Sequence, residues 1–323
     1  MKFSLITAAL GLAASGVQAV DWNFLQKSGF NYGATDNNGR CRTYDDFRNL
    51  MTRARNLPNA PGPFKQATAR LYTSIQCGTA NTPISAFQAA MDTNTPILIG
   101  LWASGGRAGY ENELNALLAA ERQWGNRFTD LIMGISVGSE DLYRSSPQGV
   151  ANNAGVGATG AEIEGYIGWL RDWIRGTRLQ NKPIGHVDTY TAWELPENQG
   201  VARAVDWLGH NGFPYWESNK ANSIANARAN WDAGIAVTNR IANGKRVWVT
   251  ETGWPHKGPN SGAAVASIDN ARKYWLDVGC HQFGFRNVFW YTLVDANVDQ
   301  AGISFGLTPL NSATPFYSLQ CPA

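Results

Sequence analysis

Eight short apolar runs alternate with longer segments of helical periodicity along this chain of 323 residues. The runs predict strands over Phe30–Ala34, Ala69–Thr73, Pro96–Trp102, Leu131–Val137, Pro183–Asp188, Trp207–Gly212, Arg246–Glu251 and Asn287–Leu293. The segments between them predict helices over Tyr44–Arg55, Ile84–Met91, Tyr110–Trp124, Ala161–Leu179, Ser223–Ala242 and Val265–Val278, with one more short helix within residues 194–206. Thr159 and Glu162 have the spacing of a capping box, which marks a helix start.

This alternation predicts an α/β fold, a single-domain (β/α)₈ TIM barrel. The third, fourth and eighth runs are almost continuously apolar, as strands buried on both faces are. A doubly wound sheet is the alternative. The barrel is favoured because eight runs can be counted and because no Gly-x-Gly-x-x-Gly nucleotide loop follows any of them.

The first 19 residues predict a secretory signal peptide. Lys2 precedes an apolar run over residues 5–14, and residues 17–19 place small side chains at the spacing of a cleavage site. We therefore expect a mature barrel domain over residues 20–323, secreted to the extracellular space or the cell wall and monomeric. No later stretch is long and apolar enough to span a membrane. A net charge of +2 gives no reason to expect a nucleic-acid partner.

Four cysteines, Cys41, Cys77, Cys280 and Cys321, are an even count in an exported chain and predict two disulfides. Three pairings are possible. Cys41–Cys77 and Cys280–Cys321 are favoured because each joins neighbours in the predicted element order. The cysteine spacing resembles no zinc site and the four histidines form no ligand set, so we expect no metal and no cofactor.

Two glutamates stand at the ends of predicted strands. Glu140 follows the fourth run after Gly138 and Ser139, and Glu251 ends the seventh run. The C-terminal ends of barrel strands carry chemistry, so both carboxylates are expected at one mouth. Glycosidic cleavage needs such a pair, because one carboxyl protonates the leaving oxygen while the other attacks or activates water. Either glutamate alone could be a surface charge balanced by Lys or Arg.

The sequences around these glutamates resemble a known family. Gly-Ser-Glu-x-Leu-Tyr-Arg at 138–144 and Glu-Thr-Gly-Trp-Pro at 251–255 are similar to the signatures of glycoside hydrolase family 17, in its fungal cell-wall β-1,3-glucanase and glucanosyltransferase branch. Asn-Tyr-Gly at 31–33, Arg-Leu-Tyr at 70–72 and Phe-Pro-Tyr-Trp at 213–216 extend the resemblance over the mature chain.

The resemblance implies a retaining mechanism on β-1,3-glucan, with Glu140 as acid/base and Glu251 as nucleophile. The covalent intermediate would then pass to water or to a second sugar. Ser139 stands where plant members keep an asparagine, so the contact with the sugar 2-hydroxyl is expected to be weaker or to come from elsewhere.

Other residues near strand ends are expected to line the substrate cleft. Arg70 would keep the nucleophile ionised. Trp216, Trp290 and Tyr143 are candidate platforms for an acceptor sugar, although an aromatic ring beside a barrel strand can equally be core. The predicted substrate-binding residues are Tyr32, Arg70, Tyr72, Ser139, Tyr143, Asp188, Tyr190, Asn211, Phe213, Tyr215, Trp216, Trp254, Trp290 and Asp295.

Two rival functions stay open at this point. A wall-embedded glucan-binding protein would keep the aromatic cleft, but it would not need both carboxylates. A barrel enzyme acting on mannan or chitin is disfavoured only by the family motifs. The sequence also leaves open endo or exo action, the preferred chain length, and the balance of hydrolysis to transfer.

Overall fold

The computed structural model describes residues 19–296 and 302–322, so all but the last residue of the predicted signal peptide lies outside the described residues. Eight parallel strands close into a barrel in sequence order, and the last strand pairs with the first. The predicted (β/α)₈ barrel is therefore confirmed. The strands are β1 (Ser28–Tyr32), β2 (Thr68–Leu71), β3 (Ile97–Leu101), β4 (Ile132–Val137), β5 (Ile184–Thr189), β6 (Trp207–Asn211), β7 (Arg246–Thr252) and β8 (Val288–Trp290).

Helices connect the strands on the outside of the barrel, as right-handed parallel crossovers require. They are α1 (Tyr44–Arg55), α2 (Ala86–Thr93), α3 (Gly106–Trp124), α4 (Asn126–Thr129), α5 (Asp141–Ser145), α6 (Pro147–Ala151), α7 (Gly160–Ile174), α8 (Tyr190–Trp193), α9 (Gln199–Ala204), α10 (Ala227–Ala242), α11 (Ile268–Tyr274) and α12 (Cys280–Gln282). Short 3₁₀ turns cover Gly62–Gln66, Pro196–Asn198 and Pro214–Trp216, and a π-helical turn covers Trp275–Gly279. Within the described residues, no helix has both the length and the apolarity needed to cross a membrane.

The predicted strands and longer helices differ from the structure at their ends, and the short helices α4, α5, α6, α8 and α12 were not predicted. Helix α7 starts with the predicted capping box, in which the Thr159 side chain accepts from the backbone of Glu162 and the Glu162 side chain accepts in return. It ends at Ile174 instead of Leu179, because Arg175 is non-helical and Gly176 has a φ of 76°. Strand β8 stops three residues before the predicted end, at Trp290.

Large side chains fill the barrel towards the N-terminal ends of its strands. Trp207 and Trp248 stack with ring centroids 4.2 Å apart. Gly185 makes room for this pair, since a Cβ there would lie 2.2 Å from the Trp207 ring. Trp22 and Phe24 pack against the cluster from the segment before β1. The interior cluster is Leu98, Met133, Val187, Trp207, Trp248 and Phe289. This packed end leaves the C-terminal mouth as the place where the barrel can admit a ligand.

Two disulfides tie loops to the barrel. Cys41 pairs with Cys77 between the loops that follow β1 and β2, and Cys280 pairs with Cys321 between α12 and the C-terminal segment. These are the pairings that the element order favoured. The second bond is reinforced where Trp275 donates its indole N–H to the Leu319 carbonyl at 3.0 Å.

Candidate active site

Glu251, near the end of β7, is held by a buried arginine. Arg70 of β2 is 1% exposed and places Nη1 at 2.6 Å from Glu251 Oε1. The same guanidinium donates to Asn31 Oδ1 at 2.8 Å and to Ser139 Oγ at 2.8 Å. A buried carboxylate is stable only with such a counter-charge and further hydrogen bonds. Arg70 therefore fixes the position of Glu251 and links it to the loop that carries the second glutamate.

Glu140 is aimed by an unusual turn after β4. Its own φ is 58° and that of Gly138 is 78°, both in the left-handed region. Gly138 is required for space as well, because a Cβ there would lie 2.1 Å from Asp141 Oδ2. That oxygen accepts from the Ser139 amide at 2.7 Å, and the Glu140 amide donates to the Val187 carbonyl at 2.7 Å. The turn is thus fixed on both sides before α5 begins.

A chain of two hydrogen bonds orients the Glu140 carboxyl group. Thr250 Oγ1 donates to Asn211 Oδ1 at 2.8 Å, and Asn211 Nδ2 donates to Glu140 Oε1 at 2.9 Å. Burial, and then repulsion from Glu251, raises the pKa of Glu140 to about 7, while the Asn211 hydrogen bond acts in the opposite direction. A carboxyl group that keeps its proton near neutral pH can act as a general acid.

Both glutamates open into a cleft of about 820 Å³ at the barrel mouth. Its walls come from the segments that follow β4 to β8. Five predicted residues besides the glutamates line it: Tyr143, Tyr190, Asn211, Phe213 and Trp216. Trp216 is 49% exposed and so offers its indole to a ligand.

Three further predicted residues lie in the hydrogen-bond and charge network around Glu251. Arg70 and Ser139 make the hydrogen bonds described above, and the Arg70 guanidinium lies 4.7 Å from the centroid of the Tyr72 ring. Burial and the nearby Glu251 charge raise the pKa of the Tyr72 hydroxyl well above its usual range. The structure therefore places Arg70 and Tyr72 beside the candidate nucleophile, where the sequence analysis expected them, whereas Ser139 is linked to it through Arg70.

Four predicted substrate contacts are wrong, because the side chains are packed inside the protein. Tyr32 and Trp290 lie in the hydrophobic core, 3% and 1% exposed. Trp254 and Tyr215 pack edge to face with centroids 5.2 Å apart and are 2% and 0% exposed. A ring enclosed on all sides cannot offer a face to a sugar, so Trp290 is also excluded as an acceptor platform.

Two residues that were predicted to bind sugar hold segments of the protein together in the structure. Asp188 is fully buried and accepts from the amides of Leu142 and Tyr143 at 2.9 and 3.2 Å, at the start of α5. Asp295 accepts from the amides of Phe305 and Gly306, both at 2.9 Å. In the structure both carboxylates accept hydrogen bonds from backbone amides, and their contact with substrate stays a prediction.

Several residues at the site were missed by the sequence reasoning. Asn31 joins the Arg70 network and also donates to the Phe289 carbonyl at 3.0 Å. Tyr291 lines the cleft directly after Trp290, and Glu217 lines it while accepting from the Tyr190 hydroxyl at 2.7 Å. Side chains alternate between the two faces of a strand. Phe30 and Tyr32 of β1 point from the barrel towards the helices, so Asn31 between them must point into the barrel. In the part of the chain that the structure describes, no group of three or more His, Cys, Asp or Glu side chains is placed to hold a metal ion.

A barrel that is packed at one end and carries two carboxyl groups at its open mouth, one paired with a buried arginine and the other held by an amide, defines the class of barrel glycoside hydrolases. The sequence model of the BtgE/BtgC glycoside hydrolase domain matches residues 29–307. The chain belongs to this family, and it is a glycoside hydrolase.

Curated relatives come from fungi. "Probable glucan endo-1,3-beta-glucosidase eglC" of Aspergillus fumigatus is 47% identical over 325 residues, which cover 100% of this chain and 70% of that protein. The protein of the same name from Aspergillus oryzae is 48% identical over 294 residues, or 91% of this chain and 62% of the relative. "Glucan 1,3-beta-glucosidase" of Saccharomyces cerevisiae is 25% identical, covering 87% and 84%. The chain thus spans roughly two thirds of the length of its Aspergillus relatives.

Solved structures share the fold. The glycoside hydrolase family 17 β-1,3-glucanosyltransferase of Rhizomucor miehei superposes with a TM-score of 0.65 at 23% identity, covering 90% of this chain and 99% of that one. An active-site mutant of the Rhizomucor miehei β-1,3-glucanosyltransferase, in complex with laminaritriose, gives 0.67 at 24% identity and the same coverage. At this level of identity the likeness establishes the barrel architecture.

Proposed function

We propose that this protein is a retaining β-1,3-glucan hydrolase of the glucan endo-1,3-β-glucosidase type, acting on fungal cell-wall glucan. Glu251 is the nucleophile and Glu140 the acid/base. The observation that carries the proposal is the contrast between the two carboxyl groups. Glu140 faces an amide donor and has a pKa of about 7, whereas Glu251 is ion-paired with a buried guanidinium. The names of the Aspergillus relatives support the substrate.

The reaction proceeds in two displacements. Glu251 attacks the anomeric carbon while Glu140 gives its proton to the leaving glycosidic oxygen, which departs as an alcohol. The glycosyl-enzyme ester then carries no charge at Glu251, so one cause of the raised Glu140 pKa is removed. Glu140 is therefore a better base at the moment when it must take a proton from the attacking water. Water attack restores both carboxyl groups and releases a sugar of retained configuration.

Transfer to a second sugar is the alternative outcome for the same intermediate. Trp216 and Tyr143 line the cleft, and a sugar stacked there would compete with water by its high effective concentration. The Rhizomucor miehei neighbours are glucanosyltransferases by name. Transfer therefore stays a second candidate, and a product profile decides between the two.

Secretion to the cell wall as a monomer belongs to the same proposal. Two disulfides fit an oxidising compartment. Fractionation of the producing cells tests the location, and light scattering of the purified protein tests the oligomeric state.

The deciding experiment is turnover of laminari-oligosaccharides of defined length. Glu140→Gln should lower the rate by about 10²–10⁴, and Glu251→Gln by at least as much, because each removes a chemical step. Glu217→Gln is the matched control, since this carboxylate lines the same cleft and has no step in the proposed reaction. An aryl glycoside whose leaving group needs no proton should still form the intermediate with Glu140→Gln.

Near-native turnover by Glu251→Gln would contradict the proposed nucleophile. Inversion at the anomeric carbon of the first-formed product would exclude the covalent route. A wild-type protein that binds laminari-oligosaccharides without cleaving them would instead be a glucan-binding protein.

A further inference from the structure

A second cavity lies on the outer face of the barrel, between α3 and α7. It measures about 540 Å³ and shares no lining residue with the catalytic cleft. Aromatic and charged side chains line it together with two glycines of α7. Nothing in the proposed reaction uses this cavity.

An aromatic cluster forms the base of the cavity. The Trp169 ring is half-buried and meets Trp173 edge to face, with centroids 5.7 Å apart. Beside it, Tyr166 stacks on Tyr110 at 4.4 Å. The Arg107 guanidinium lies 4.8 Å from the centroid of Trp169. These contacts hold the rings in place, so the base is preformed for a ligand.

Gly165 and Gly168 keep the space beside these rings empty. Both lie inside α7, where glycine is among the least favourable residues. A Cβ at either position would meet no atom within 4 Å, and neither glycine has a positive φ. Packing and backbone geometry therefore do not explain them. Gly165 lies four residues before Trp169, on the patch of surface that the Trp169 side chain points towards. Any longer side chain there would cover the indole.

Polar groups of both signs surround the rings. Arg107 presents N–H donors from α3. One oxygen of Glu162 is taken by the capping box with Thr159, and one oxygen of Asp172 accepts from Arg175 at 2.7 Å. Within the described residues, no hydrogen bond involves the second oxygen of either carboxylate. Planar donors and acceptors around a half-buried aromatic ring suit a neutral ligand that has both apolar C–H faces and many hydroxyl groups.

We propose that this cavity is a second binding site for a β-1,3-glucan chain, separate from the catalytic cleft. A pyranose ring lies against the half-buried Trp169 ring, while its hydroxyls bond to Arg107, Glu162 and Asp172. The site holds the enzyme on insoluble polymer while the cleft acts on a chain within reach. The identity of the polymer rests on the proposed function.

Binding to insoluble β-1,3-glucan particles tests the site, in the Glu251→Gln background so that the particles are not digested. Gly165→Gln fills the cavity while improving helix propensity, and it should weaken binding at least fivefold. Trp169→Ala removes the platform and should do the same. Gly165→Ala adds only a methyl group in open space and should change binding less than twofold. Ala233→Gln, on an exposed position of α10, is the remote control with the same added side chain.

The active forms of these variants complete the test. Gly165→Gln should lose rate on the particles but cleave soluble laminaripentaose within twofold of wild type, because the pentasaccharide reaches the cleft without attachment. In the Glu251→Gln background, equal particle binding with and without Gly165→Gln or Trp169→Ala overturns the second site. Binding of wild type to cellulose or chitin particles as tight as to β-1,3-glucan overturns the assigned ligand. Failure of wild type to cleave laminaripentaose overturns the proposed function, while the particle comparison still decides the second site.

Discussion

Replacement of Asn211 by Ala should move the alkaline limit of activity upwards. Asn211 Nδ2 donates to Glu140 Oε1 at 2.9 Å, and this hydrogen bond stabilises the charged carboxylate. It therefore opposes the burial and the repulsion that raise the Glu140 pKa to about 7. Without the amide the proton is held more tightly, so the acid form persists to higher pH.

The size of the shift follows from the strength of the lost bond. A hydrogen bond to a charged group contributes about 1.5–3 kcal/mol, and one pKa unit corresponds to about 1.36 kcal/mol. Water entering the vacated space recovers part of this, so we expect the Glu140 pKa to rise by about 1 unit. Thr250→Val should move it less in the same direction, because Thr250 Oγ1 only fixes which end of the Asn211 amide faces the carboxyl group.

The assay is the pH dependence of kcat/KM on a laminari-oligosaccharide, whose alkaline limb reports the acid of the free enzyme. Wild type should lose activity with a midpoint of about 7, and Asn211→Ala with a midpoint of about 8. Tyr190→Phe is the control, since this residue lines the same cleft and bonds to Glu217 instead. The pH midpoint of the alkaline limb does not depend on how far a variant lowers kcat/KM overall. A midpoint that stays in place or falls in Asn211→Ala would refute the reasoning.

Three further outcomes are expected. Because the folded-state pKa of Glu140 lies above its ordinary 4.5, the folded protein loses stability as pH rises from 4.5 through about 7. Glu140→Gln should thus be more stable than wild type at pH 8, by up to about 3 kcal/mol in urea unfolding, and should gain much less at pH 4. Trp216→Ala should lower the ratio of elongated to shortened oligosaccharides at high substrate more than it lowers total turnover, and an unchanged ratio would place the acceptor elsewhere. Gly185→Ala should destabilise by about 1–3 kcal/mol because its Cβ meets the Trp207 ring, whereas Gly165→Ala should not destabilise.

The barrel could be predicted from the sequence because eight short, largely apolar runs alternate with longer segments of helical periodicity. The two glutamate-bearing strand ends followed from the same pattern, since a barrel places all C-terminal ends at one mouth. The assignment of faces near strand ends was weaker. The sequence favours Tyr32 and Trp290 as site residues, but it is Asn31 and Tyr291 that face the site.

Both mistakes are shifts by one residue, and in a strand one residue exchanges the two faces. Large aromatic residues were predicted to bind substrate because their rings can stack on a sugar, but the same rings can equally fill the layer between barrel and helices. Trp254 fails for a different reason. It lies three residues after Glu251, beyond the regular strand, and its direction is set by packing against Tyr215, which no local pattern reveals.

Glu140 has a left-handed backbone conformation, which costs the fold stability, while the proposed reaction requires its carboxyl group. A non-glycine residue in this region is strained by about 1 kcal/mol, and glycine or asparagine would relieve most of that. Selection of a random library for heat resistance alone should therefore enrich Gly and Asn at position 140, giving sturdier proteins that are inactive. The proposed acid/base can persist in evolution only while glucan cleavage itself is under selection.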